Sequence, residues 1–352
     1  MIKIQLHLNR IDSQDYLVSL ANNLWLFLNQ KTAKKKYKKN SLINKLEKLV
    51  TESNEEKYLM NIANGNHITL ERQRNFFNYL AENSYSKLYE LIVSPPDRLA
   101  ELRREIYDII NENDIYFEYQ GKFKQTEFGE ILIDRLFTYN NFRKSDYCSN
   151  LMGQAGYNNV TCPYCNYNRV NIIDISEEEN PETLMRAYLD LDHFYPKSQN
   201  PFLALSFFNL IPSCHDCNSR EKGDKQFDIS THIHPYLGSF DDIYSFEINP
   251  NFFIDRKTDF IKINYVGVNT DYTDRDFKLS QRYQAIYLES INNFLQFYLK
   301  YYSYRNSPNF SIDWQDVLLR GIPVVQHEIL KYPTGKLFRD VVRQIDIYDL
   351  IP

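Results

Sequence analysis

The chain has 352 residues, a formal net charge of −5, 43% apolar residues, 28 Tyr, 23 Phe and only 10 Gly. That balance excludes a disordered or collagen-like chain, and it excludes a basic surface spread over the whole protein of the kind that coats nucleic acid. The length suits two or three domains, or one large domain with additions. No stretch reaches the ~20 apolar residues that span a bilayer, and the opening MIKIQLHLNRIDSQDY lacks the basic-then-apolar order of a signal peptide. The expectation is a cytoplasmic protein without membrane contact, whose five cysteines are metal ligands or free thiols rather than disulfides.

In chain order, residues 2–8 (IKIQLHL) alternate apolar and polar and predict a short strand. Lys34, Lys35, Lys36, Lys38 and Lys39 form a local basic run, readable as a phosphate-binding cluster or as an ordinary solvated face. From about 14 to 112 the pattern is helical. Ser94-Pro95-Pro96 predicts a cap and first turn, after which Leu99, Leu102, Ile106 and Ile109 recur at helical spacing as a packing stripe. Residues 115–160 are transitional, with a helix around 128–137 and a loop at MGQAGYNN. Residues 160–228 are turn-rich and hold four of the five cysteines. Beyond them, FIKINYV predicts a strand with Ile261, Ile263 and Tyr265 on one face. A long helix is expected near 277–302, with Leu279, Tyr283, Ile286 and Phe294 in its core. A last helix is expected over 334–348, with Thr334 as cap and Leu337, Val341 and Ile345 at i, i+4, i+8.

Cys162-Pro-Tyr-Cys165 and Cys214-His-Asp-Cys217 are two C-x-x-C knuckles. Two intervening residues let both thiolates reach one ion, and two such knuckles complete a tetrahedral four-sulfur site for structural zinc. Cys148 is left over as a free thiol, and His215 reads as an exposed knuckle residue rather than a fifth ligand. His232 and His234 alternate beside Pro235-Tyr236 and read as packing groups rather than metal ligands.

The 48 residues between the knuckles contain LDLDHFYPKS (189–198) and lead into FFNLIPSCHDCNSREKGDK (207–225). Asp192-His193, then Asn209-Leu210, then Asn218 directly after Cys217 resemble the HNH endonuclease family of the zinc-stapled kind. The match covers about 65 of the 352 residues, and its third position is Asn rather than His, a variant that family tolerates. The chemistry is consistent with these residue types. Phosphodiester hydrolysis needs a base active near neutral pH, which assigns His193 as general base. The developing phosphate charge suits a hard cation with one or two protein oxygen ligands, which assigns Mg²⁺ or Mn²⁺ to Asp192 and Asn218. Asn209 braces the loop between them. Asp192 and His193 are neighbours that a regular strand would point to opposite faces, so the strand must end or bend there, as Pro196 suggests. Asp190 shares the parity of Asp192 and reads as structural. Lys197, Arg220 and Lys222 are candidate phosphate contacts.

The resemblance implies an α+β, predominantly α fold, in which a small ββα-metal core with a four-cysteine zinc site (146–235) is inserted between a helical region (1–145) and a C-terminal region of short strands and helices (236–352). It implies a nuclease acting on nucleic acid, DNA above RNA. The wording HFYPKS…NLIPSC…CN…K is also similar to nuclease subunits of bacterial anti-phage systems, some paired with an ATPase partner as in Septu-type defence. The competing expectations are a zinc-dependent binding module that has lost catalysis and an RNA-cleaving toxin. Oligomeric state, trigger and recognition sequence are not written in the motif.

Overall fold

A computed structural model describes residues 2–176, 185–249, 251, 260–304 and 319–345, with no side-chain description at 286–288, 301, 302 and 304. Residues 2–8 are not a strand: Ile4–Leu8 is a short helix, α1. The alternation survives only as the burial of Ile2 and Ile4. Their backbone N–H groups donate to two unrelated carbonyls, Pro163 O and Pro235 O, both at 2.9 Å. With partners on separate segments no ladder can form, and the chain closes into a helix instead.

The helical stretch contains α2 (Ser13–Leu28), α3 (Leu42–Glu52), α4 (Glu56–Asn61), α5 (His67–Val93), α6 (Pro96–Ile109) and α7 (Glu112–Ile115). Ser41 caps α3 by accepting from Asn44 N, and Asn66 caps α5 by accepting from Ile68 N and Thr69 N. Ser94 does not cap α6. It closes α5, its N–H donating to Glu90 O, and Pro95 stands before the first turn of α6. Leu99, Leu102 and Ile106 are buried and Ile109 is half-buried.

A hairpin that apolar periodicity does not announce follows, β1 (Tyr116–Tyr119) against β2 (Lys122–Gln125), turned at Gln120-Gly121, both at positive φ. α8 (Glu127–Glu130) runs on into a π-helical turn, Ile131–Leu136. Gly129 lies so close to Ile115 that a Cβ would collide with its carbonyl oxygen, which fixes how this segment leaves the hairpin. α9 (Tyr139–Arg143) and α10 (Asp146–Gln154) then lead to the first knuckle.

The strands form small antiparallel sheets: β3 (Val160–Thr161), β4 (Arg169–Asp174) and β5 (Met185–Tyr188) in one, β6 (Asp190–His193) and β7 (Leu210–Ser213) in the next. A second π-helical turn, Asp216–Lys222, follows β7. After α11 (Phe240–Ile243) come β8 (Tyr244–Ile248) and β9 (Ile261–Tyr265), which pair with each other. The chain continues through α12 (Thr273–Phe277), α13 (Leu279–Tyr304) and α14 (Gly335–Ile345). The fold is thus α+β and mostly helical.

Leu279 and Tyr283 of α13 are buried and Phe294 is half-buried, while the Ile286 side chain lies outside the described residues. In α14, Leu337 and Val341 are buried and Ile345 is half-buried; the expected extension to 348 lies outside the described residues. The Thr334 hydroxyl donates to Pro333 O instead of capping α14. This helix docks on β8 through polar bonds, Asp340 accepting from Phe246 N at 2.9 Å and Gln344 accepting from Ile248 N at 2.8 Å. One apolar cluster runs from Ile2 to Val341, so all three regions of the chain share a core. Among the described residues no helix is long and apolar enough to cross a membrane.

His234 sits in this core, its ring 4.2 Å from that of Phe194, and burial pushes its imidazole down to about 3. The unfolded chain takes up this proton near pH 6.5 and the folded chain does not until about 3. Stability is therefore present above pH 6.5 and lost as pH falls toward 3. Urea denaturation at stepped pH should show this loss, and His234→Gln should make it shallower. An unchanged pH profile in that variant would remove the buried imidazole from the explanation.

Candidate metal centre and catalytic cavity

The sulfur atoms of Cys162, Cys165, Cys214 and Cys217 all lie within 4.8 Å of one another, and all four residues are buried. A zinc ion with four Zn–S bonds of about 2.3 Å sets sulfurs about 3.8 Å apart at tetrahedral angles; Cys165 and Cys214 stand at 3.9 Å. The cluster can therefore hold a metal ion such as zinc, and its closed set of four sulfurs leaves no position for a reacting water. Hydrogen bonds from its partner thiols, with Asn168 adding to them, push the Cys214 thiol far below the usual range, whereas burial pushes Cys162 and Cys217 up. A cation bound among these buried sulfurs would stabilise their thiolate form.

The first knuckle is shaped by the β3–β4 turn, where Cys162 N donates to Asn168 O and Asn166 N donates to Cys162 O. The second follows β7 directly. Sequence-distant groups complete the surroundings. Asn168 Nδ2 donates to Cys214 Sγ at 3.4 Å, Arg282 Nη1 donates to Cys217 Sγ at 3.3 Å, and the Tyr283 hydroxyl donates to Cys165 O. A four-thiolate zinc carries net negative charge, which the Arg282 guanidinium on α13 offsets. Nothing in the spacing of the cysteines announces Asn168, Arg282 or Tyr283. Cys148 stands apart as a buried thiol pushed up to about 11 by desolvation.

Between the knuckles, β6 pairs antiparallel with β7 in the register Asp190↔Ser213 to His193↔Leu210. The π-helical turn that follows lays its side chains against one face of β6. Asp190 Oδ2 accepts from Asn218 Nδ2 and lies 3.0 Å from both that nitrogen and His215 Nδ1. Asp192 is buried and accepts from Lys222 Nζ at 3.0 Å and from the Tyr164 hydroxyl at 2.6 Å. Lys222 Nζ also donates to His193 O at 2.6 Å. His193 faces the other way. Its Nε2–H donates to Ala204 O at 3.1 Å and its ring meets Tyr139 edge-on at 4.5 Å. That bond leaves Nδ1 with the lone pair. Burial pushes the imidazole down to about 3, so it is neutral at physiological pH.

Asp190, Asp192, His193, Lys197, Asn218 and Lys222 all line one cavity of about 590 Å³, together with Tyr139 and Arg143. The strand ends at His193, which is how two neighbours on opposite faces reach the same space. The structure places Asn218 against Asp190 rather than Asp192, whose carboxylate is engaged by Lys222. Asn209 is wholly buried and ties the intervening loop, donating to Tyr195 O and Leu203 O and accepting from Tyr195 N. The Lys197 ammonium lies 5.0 Å from the Tyr139 ring centre at the cavity wall. Arg220 is outside the cavity, exposed and paired with Asp216 at 2.9 Å. Lys222 is turned inward with a side chain 1% exposed, so its charge serves Asp192. His215 is exposed, while His232 stacks on Phe227 and pairs with Asp276. Asp190, Arg143 and Tyr139 belong to the cavity without being marked by the motif; for Asp190 the strand parity with Asp192 is the available signal.

No family model matches the chain, and no solved structure matches it. It is similar to protein ea31 of Escherichia phage lambda, 35% identical over 78 residues. The similarity covers 22% of this chain and 21% of that protein, so the chain matches about a fifth of the relative's length.

Two outcomes follow from this geometry. Structural zinc contributes on the order of 10 kcal/mol of binding free energy in small modules, comparable to the whole stability of a domain. Removing it with a strong chelator, or Cys214→Ser, should collapse the melting transition; metal analysis showing an unchanged melt without bound metal would count against the four-sulfur site. Lys222→Met leaves Asp192 charged and buried with Tyr164 alone and should cost about 3 kcal/mol. Arg220→Ala, on an exposed pair, should cost under about 0.5 kcal/mol in the same denaturation measurement.

Proposed function

We propose that this chain is a metal-dependent HNH-type endonuclease that hydrolyses phosphodiester bonds, with DNA as its substrate. The observation that carries the reading is the shared cavity, in which a neutral imidazole with a free Nδ1 lone pair faces the same space as two carboxylates, a carboxamide and several basic side chains. Such a set supplies a base, hard oxygen donors and positive potential around one reacting phosphate. The β6–β7 hairpin followed by the 216–222 turn is consistent with a ββα-metal core, and the four-cysteine cluster with its zinc staple.

Asp192 and Asn218 would hold Mg²⁺ or Mn²⁺, with Asp190 beside Asn218 as a further oxygen donor; these donors suit a hard cation. Bound there, the ion supplies stabilisation of charge on the scissile phosphate. The protein groups do the rest. His193 takes the proton of the attacking water at Nδ1, and the Ala204 carbonyl holds its tautomer. Tyr139 fixes the ring edge-on. Lys197 and Arg143 draw the phosphate backbone toward the cavity mouth. Lys222 holds the Asp192 carboxylate in place.

The rival reading is a zinc-dependent binding module without catalysis. It is favoured by the low basicity of His193 and by the engagement of Asp192 with Lys222. A further proposal, resting on the wording of the motif alone, is a place in anti-phage defence beside an ATPase partner.

The test is cleavage of supercoiled plasmid by the purified chain with Mg²⁺ or Mn²⁺, next to His193→Ala and a chelator control. Cleavage that needs the metal and falls at least about 100-fold in His193→Ala, with the melt unchanged, supports the nuclease. Equal cleavage in that variant sinks the assigned base. Tight binding of DNA with no cleavage by the wild type favours the binding module, and preference for structured RNA replaces DNA as the substrate.

A further inference from the structure

A second cavity, about 470 Å³, lies on the other side of the segment that walls the catalytic one. Ile133, Tyr139 and Arg143 face the catalytic cavity, whereas Asp134, Arg135, Thr138 and Asn141 face the second. The two are electrostatic neighbours, since Asp134 of the second acts on the Lys197 ammonium of the first. Opposite Asp134 and Arg135 the second cavity is lined by Lys38, Asn40, Ser41 and Lys45.

Several cations of the N-terminal half are engaged by carboxylates. Arg72 pairs with Asp114, Lys87 with Glu105, Arg98 with Glu90 and Arg135 with Glu52. Among the described residues, none of Lys34, Lys35, Lys36, Lys38, Lys39 and Lys45 makes an ion pair with a carboxylate. Lys45 Nζ donates to the Thr138 hydroxyl at 2.7 Å and Lys38 Nζ to Gln30 Oε1 at 2.7 Å. The basic run is also built rather than loose. Residues 31–37 form a turn closed by the Lys31–Tyr37 bridge and by Thr32 N donating to Lys36 O at 2.7 Å, with Lys34, Lys35 and Lys36 exposed at its tip. Asp134 is the carboxylate that shares this cavity with Lys38 and Lys45, and partial burial lowers the pKa of Lys45. An anion bound beside Lys45 relieves that burial penalty.

We infer that this cavity and the lysine turn beside it are a second phosphate-backbone site, which grips the nucleic acid flanking the scissile phosphate. It rests on the nuclease reading for the identity of the bound polymer. The track runs from Arg143 and Lys197 at the catalytic mouth, across the 133–143 segment, to Lys45, Lys38 and the tip of the turn. Hydroxyl, amide and ammonium donors of this kind position a backbone and do not read bases.

The test is fluorescence anisotropy of a labelled 30-base-pair duplex with the zinc-loaded full chain, in the absence of Mg²⁺ and Mn²⁺, over a range of salt concentrations. Lys45→Ala with Lys38→Ala should raise Kd at least 10-fold. It should also lower the slope of log K against log salt by about 1 for each phosphate that is no longer neutralised. Lys45→Arg should retain most of the affinity. Lys34, Lys35 and Lys36 changed together to Glu, all exposed and outside the core, should weaken binding without changing the melt. Wild-type affinity and salt slope in both sets of variants overturn the inference, as does failure of the wild-type chain to bind duplex, single-stranded DNA or RNA. Plasmid cleavage separates the two readings. A wild type that binds through these lysines but does not cleave retains this site and loses the nuclease. One that cleaves while the lysine variants bind normally keeps the nuclease and loses this site.

Discussion

The geometry of this protein hangs on four cysteine sulfurs brought together from segments about 50 residues apart. The first knuckle is the turn between β3 and β4, and the second is continuous with β7 and with the turn that carries Asn218 and Lys222. Whatever fixes the sulfurs therefore fixes the angle between the 216–222 turn and the β6–β7 hairpin. The rest of the chain is tied to the same point. Pro163, inside the first knuckle, accepts from Ile2 N at the N-terminus. Asn166, one residue past that knuckle, donates to Ile329 O and accepts from Lys336 N, which anchors the approach to α14. Arg282 and Tyr283 bring in α13. A tetrahedral ion held by the four sulfurs would have little angular freedom and would transmit its geometry to all of these.

The cavity between β6 and the 216–222 turn shows how that constraint shapes a candidate site. Along β6, Asp190 and Asp192 share a face and are two residues apart, about 6.7 Å. On the facing turn, Asn218 and Lys222 are four residues apart, about 6 Å at an ordinary helical rise. The spacings match, so both pairs form at once, amide to carboxylate at the rim and ammonium to carboxylate inside. The turn is π-helical, with Gly223 N donating to Asn218 O at 2.8 Å, and Gly223 at φ 52 ends it. Wide turns of this kind recur where side chains must be re-aimed. On the opposite face of the strand end, His193 is dehydrated and neutral, held by a carbonyl. A single strand end thus sets a carboxylate and an imidazole on adjacent residues of one cavity.

How much of this can be read from the sequence divides by the range of the interaction. The four-cysteine cluster is legible because metal binding demands thiols at short spacings, and Asp192, His193 and Asn218, singled out by the motif, line one cavity. The stripes of α6 and α14 are legible because burial imposes a helical period. The N-terminal strand fails for a physical reason: alternation records which side chains are buried, and Ile2 and Ile4 are buried without a strand partner. The partner of Asn218, the inward turn of Lys222, and the contributions of Asn168 and Arg282 depend on contacts between distant segments. No local pattern encodes which of two carboxylates of equal parity faces a given helix position. The Gln120-Gly121 turn has a signal in its glycine, but β1 and β2 are mostly exposed and too polar to show an apolar alternation.

Charge is organised on the same principle of local against global. A chain of net charge −5 is repelled by a polyanion only weakly at distances beyond the screening length, about 8 Å at physiological ionic strength. Inside that distance the local arrangement decides. Some of the acidic charge near the N-terminal helices is engaged in pairs, as around Arg98, which meets Glu90, Glu101 and Glu105. Two carboxylates of the cavity beside β6 are likewise engaged, Asp192 by an ammonium and Asp190 by an amide. What is left unmatched on the lysine turn and at Lys45 is positive. An overall acidic protein can in this way carry a local run of positive charge, because net charge does not fix how charges are distributed over its surface.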